Sequence, residues 1–191
     1  MNEEIQTQNN KGFTLVEILV ALAIFMLVMV VGISSLFTSN KSTKNTKALR
    51  FAMDNVNYAM DHMSRSLRLG SQFYCSTTNT SFPVNGGFDC VNGTDVFFRP
   101  AEHSIQDAMF RLEDGKVMKR MYVGSFNTDF VALTAPEVNV TELRFTVIGS
   151  EIFDAIQPSV LILLKGDVTI GGETHEFSLQ TLASQRNAES E

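Results

Sequence analysis

Few residues in this chain have the type and spacing to do chemistry. Glu17 is the most conspicuous, because Ile18 to Ile33 form an unbroken apolar run and Phe13, Leu15 and Val16 precede it. A carboxylate inside such a segment costs several kcal/mol in a bilayer unless it protonates, finds water or pairs with a cation, so it reads as functional by default. Its natural partner is an amine. A weaker contribution comes from the helix start, where negative charge is favoured. Just ahead lies Lys11-Gly12, the one obvious punctuation mark before the apolar run.

Cys75 and Cys90 are the second set. In an oxidising compartment they read as one disulfide closing a small loop, contributing about 3 kcal/mol in the chain-entropy account. Two unrelated reduced thiols are the alternative, and the CxxC spacing of a metal site is absent. His62, His103 and His175 are scattered, with no ligand-spaced Cys, His or carboxylate around them, so no metal is expected. Asp89, Asn92 and Asp95 lack the pattern of a calcium loop and read as a polar turn. No G-x-S-x-G, H-E-x-x-H or P-loop occurs, so neither an enzyme nor a cofactor is expected.

The elements that position these residues follow from composition and periodicity. The 191 residues suffice for one domain plus an appended element, with 44% apolar and 19% charged residues. Net charge is -6 and the pI about 5.1, which argues against nucleic acid as the main partner. The apolar run approaches the ~20 residues of a spanning helix. It is not an ordinary secretory signal: it is too long, and no small-residue cleavage site follows it.

After Gly32, a site where the helix is expected to bend or locally melt, Leu49, Ala52 or Met53, Val56, Met60, Met63 and Leu67 recur at helical intervals. With no proline from Phe13 to Leu69, this predicts one helix of some fifty-five residues, about 80 Å long. Gly70 is expected to end it as a C-cap. Ser71 to Gly93, polar and holding both cysteines, reads as a surface loop. Strands are expected over Thr94 to Arg99, Ala108 to Leu112, Lys116 to Val123, Asn139 to Ile148, Val160 to Leu164 and Glu173 to Leu182. Asp114-Gly115 and Gly171-Gly172 mark the hairpins. The continuous apolar run Val160 to Leu164 predicts a strand buried on both faces. The fold class is therefore α+β, a long N-terminal helix packed on an antiparallel sheet.

Lys11-Gly12-Phe13-Thr14-Leu15-Val16-Glu17, continuing Ile18-Leu19-Val20-Ala21-Leu22-Ala23-Ile24, resembles the prepilin signature of type IV pilins and type II secretion pseudopilins. The resemblance covers about twenty-five residues. It implies cleavage between Gly12 and Phe13, N-methylation of the new Phe13 amine, and an assembly role for Glu17, which would neutralise the Phe13 amine of a neighbouring subunit. The expected organisation is a leader at 1–12, a transmembrane half-helix at 13–37, an amphipathic half-helix at 38–69, a loop at 70–93, an antiparallel sheet at 94–187 and a tail at 188–191. Implied partners are a prepilin peptidase and methylase, other pilin or pseudopilin subunits, an inner-membrane assembly platform and membrane lipid.

Phe177-Ser178-Leu179-Gln180-Thr181 leading to Arg186-Asn187, with Asn139-Val140-Thr141-Glu142-Leu143-Arg144-Phe145 before it, is similar to the C-terminal part of J-type pseudopilins and W-type minor pilins. That implies a minor subunit. A major subunit, or a tip module for adhesion or DNA uptake, is the alternative. The implied location is a single pass through the cytoplasmic membrane with the C-terminal domain outside, then a filament. Lys41, Lys44, Lys47 and Arg50 oppose that orientation, since the positive-inside rule alone would keep them cytoplasmic. They read as a solvated face, or as a contact for acidic neighbours or lipid headgroups.

Overall fold

The computed structural model describes residues 12–76, 86–101, 107–123, 126–127, 129–151 and 156–186. The leader up to Lys11, the middle of the Cys-containing stretch, His103 and the tail lie outside the described residues. One helix, α1 (Leu15–Arg68), belongs in part to each of two compact units, Met1–Thr46 and Lys47–Glu191. Helical backbone continues through Gly32 and not through a melted turn.

In the first unit, Leu15–Ser35 is a 21-residue stretch of mean hydropathy 2.9 with none of it buried. A helix apolar on every side has no polar face to turn toward water, and this one is long and apolar enough to cross a membrane.

In the second unit the remaining turns of α1 do have a buried face: Ala52, Val56, Ala59, Met60, Met63 and Leu67. These positions, three and four apart, lie under an antiparallel arrangement of ten strands. β1 (Ser71–Ser76), β3 (Asp95–Arg99), β4 (Asp107–Glu113), β5 (Lys116–Val123) and β6 (Phe126–Asn127) follow one another in the first sheet, with β7 (Val131–Ala132) also on β5. The second sheet runs β10 (Glu173–Ser184), β9 (Ser159–Ile170), β8 (Val138–Ile148), β2 (Cys90–Gly93). Side chains from the helix and both sheets form one core, in which Phe98 and Phe110 stack at 5.3 Å and Phe145, Ile162 and Leu164 are fully buried. The α+β layout is the one expected.

Two local expectations are corrected. Ser71 to Gly93 is not all loop: its two ends are strands, because Tyr74, Cys75 and Ser76 pair with Phe97, Val96 and Asp95, and Cys90 and Gly93 pair with Val147 and Phe145. Polar side chains hide such strands from a pattern search. The Val160 to Leu164 run is buried on one face only, since β9 alternates, with Val160, Ile162 and Leu164 inward and Leu161 and Leu163 half-exposed on the other side. Gly70 follows just after the end of α1, where it is expected to stop the helix. It is glycine because a Cβ there would lie 2.7 Å from Phe98 Cδ2, where the chain turns from helix into β1.

Candidate functional site

The first site is the start of α1. Gly12, Phe13 and Thr14 precede the helix without regular structure, and Phe13 is 79% exposed. The Gly12–Phe13 peptide is therefore outside the helix, the state in which a backbone can enter a protease cleft. Thr14 then caps the helix: its Oγ1 accepts a hydrogen bond from the Glu17 amide at 3.3 Å. Thr14-x-x-Glu17 has the capping-box spacing, in which the acid three residues into the helix complements the cap. That spacing was legible as T-x-x-E at the edge of an apolar run. The carboxylate itself is exposed and is the sole charged residue between Lys11 and Lys41.

The second site is covalent. Cys75 and Cys90 are joined in a disulfide with their Cα atoms 5.9 Å apart, linking β1 at the edge of one sheet to β2 at the edge of the other. Gly93 makes room for it, since a Cβ at that position would lie 2.7 Å from Cys75 Sγ.

The histidines do not converge. His62 is half-buried between Tyr58 and Phe110, with ring centroids 6.2 and 6.3 Å away, and its Nε2 lies 3.2 Å from Lys119 Nζ. Burial and, secondarily, the Lys119 charge hold its pKa below the ordinary histidine value, against the pull of Asp61. His175 is exposed on β10. Asp89, Asn92 and Asp95 also separate: Asp89 accepts the Ser150 amide at 2.8 Å, Asn92 takes a left-handed backbone (φ 58°), and Asp95 is buried. Burial raises the Asp95 pKa, opposed by Arg111 and the Thr94 hydroxyl. Among the described residues no three His, Cys, Asp or Glu side chains come together as a metal site would require.

Comparison with known proteins bears on the start of this helix. The family described as the prokaryotic N-terminal methylation motif matches residues 7–33, the stretch that holds Gly12, Phe13, Thr14 and Glu17. The chain therefore carries that motif across the Gly12–Phe13 junction and the start of its apolar helix. The chain is also similar to the pilin-like protein PilA3 of Thermus thermophilus, 33% identical over 69 residues. That match covers 36% of this chain and 30% of the relative. No solved structure matches significantly. The exposed apolar helix that carries the motif fits a membrane anchor.

Proposed function

We propose that this pilin-like chain is a structural subunit, made as a precursor and cut between Gly12 and Phe13, with the new Phe13 amine methylated. It is held in the cytoplasmic membrane by a single pass of its apolar helix with the second unit outside, then drawn from an assembly platform into a type IV pilus or a type II secretion pseudopilus. Glu17 acts at that step by neutralising the Phe13 amine of a neighbour, which removes two opposite charges from an apolar environment together. The C-terminal resemblance favours a minor subunit. No catalytic role is proposed.

The observation that carries this reading is the methylation-motif match over residues 7–33, coinciding with a lone carboxylate at the start of an entirely exposed apolar helix. N-terminal mass spectrometry of the membrane-extracted protein, expressed with its native peptidase, tests it. A methylated Phe13 terminus is expected; an intact Met1 terminus would return the helix to a simple signal anchor.

A second reading, a major subunit, is favoured by one feature. The chain separates its charges: no acid occurs from Ile18 to Met53, where Lys41, Lys44, Lys47 and Arg50 lie, whereas residues 51–191 hold ten basic and eighteen acidic residues, a net of -8. Such a chain can present both halves of an electrostatic contact to copies of itself.

A further inference from the structure

Lys41, Lys44, Lys47 and Arg50 are all exposed on α1, and none forms an ion pair among the described residues. At 100° per residue they wind around about half of the helix circumference, forming a partial collar and not a single stripe. Four like charges on ten residues of helix repel one another, so their placement calls for an acidic partner.

Lipid is a poor fit for that partner. The apolar stretch Leu15–Ser35 is 21 residues long, about 31 Å of helix, which already fills a hydrocarbon layer of about 30 Å. The headgroup layer adds roughly 5–7 Å on each side. Lys41 lies about 9 Å past Ser35 and reaches that layer by extending its side chain back; Lys44, about 13 Å past, lies beyond it, and Lys47 and Arg50 follow further along the chain.

The sheet unit offers a complementary surface. Val138, Val168 and His175 are in register across β8, β9 and β10, and Asp167 pairs with both Asn139 and Glu176, so Glu137, Asp167 and Glu176 share one face at one end of the second sheet, with Glu137 and Glu176 exposed and Asp167 half-exposed. The nearest base in the register, Lys165, is engaged with Glu142 at 2.9 Å. We infer that the basic collar is an inter-subunit docking surface, and that its occupant is the acidic end of the second sheet, bearing Glu137, Asp167 and Glu176, of another copy of this chain. The contact is heterologous, one patch against a different patch, and so need not close after two copies; it can propagate, as a filament requires. It deepens the second reading, that of a major subunit, and rests on it in that copies of this one chain meet.

The test uses the full chain in detergent micelles, with association followed by energy transfer between differently labelled copies and the N-terminus of the same sample read by mass spectrometry. Lys44→Glu, Lys47→Glu and Arg50→Glu together should weaken association about tenfold at low salt, with the difference shrinking as salt rises. Mixing that variant with copies carrying Glu137→Lys, Asp167→Lys and Glu176→Lys should restore it. Unchanged association with a methylated Phe13 terminus would overturn the collar and leave the processing reading intact. Loss without restoration, accompanied by lost retention on vesicles of equal parts phosphatidylglycerol and phosphatidylcholine, would overturn it in favour of a lipid contact.

Discussion

Lys119 on β5 places its Nζ 3.2 Å from Nε2 of His62, an acceptor only while the ring is neutral, so a strand of the first sheet is joined to α1 through a titratable contact. Burial and this neighbouring ammonium both disfavour the imidazolium. The unfolded chain therefore takes up a proton near the ordinary histidine value while the folded chain resists it. Folding stability is full above about pH 6.5 and declines as pH falls through that value toward the lower folded pKa. Thermal unfolding of the detergent-solubilised protein between pH 5 and 8 should show this slope, and His62→Gln should flatten it. An unchanged slope in the variant would assign the pH dependence to other groups.

The cap and the charge of the helix start can be separated. Glu17→Gln keeps a side chain suited to the capping box but removes the carboxylate, whereas Thr14→Ala removes the cap and keeps the charge, at a cost of about 0.5–2 kcal/mol to the helix start. If Glu17 acts through its charge, Glu17→Gln is processed normally but enters filaments poorly, and Thr14→Ala assembles better than it. Sheared-filament fractions compared with membrane fractions measure this. Equal incorporation of Glu17→Gln and the parent would remove the proposed role.

Cys75→Ser with Cys90→Ser should lower stability by about 3 kcal/mol, read as a lower denaturant midpoint, because the crosslink restrains the unfolded chain across that loop. Addition of reductant to the parent should approach the same midpoint.

Gly166 faces Val140 on β8 and Phe177 on β10, and a Cβ there would meet the Asn139 carbonyl oxygen first and lie 2.7 Å from Phe177 Cζ. Gly166→Ala should cost about 1–3 kcal/mol as an overpacked site. Combining it with Phe177→Leu should recover part of that loss, a coupling that a purely conformational glycine effect would not give.

Phe110 is fully buried between Phe98 and the His62 ring, whereas Val131 on β7 is 60% exposed. Phe110→Ala should cost about 3–5 kcal/mol and Val131→Ala within about 0.5. Similar losses at the two positions would mean that β7 is covered in the working protein.

What could be read without coordinates was whatever the chain encodes locally. Asp114 and Gly115 both adopt positive φ (49° and 71°), as do Gly171 and Gly172 (64° and 90°), so both hairpins were visible as residue types suited to primed turns. The buried helix face was legible for the same reason, though Ala59 escaped as a small residue inside a row of methionines. The Lys11 to Glu17 motif was legible because it is contiguous. β1 was not, because Ser71 to Ser76 becomes a strand through its pairing with β3. The one-sided burial of β9 depends on what its neighbours place beside Leu161 and Leu163, and the His62–Lys119 contact joins residues fifty-seven positions apart. No local pattern carries either.

The Cys75–Cys90 bond also has a mechanical meaning. Tension entering the second unit from the helix reaches β1 past Gly70, and at Cys75 it meets a covalent bridge to Cys90. The stretch of chain between the two cysteines is thereby excluded from the load path, and the pull is handed straight to β2 and its ladder with β8. Substitutions between the cysteines leave that covalent path in place.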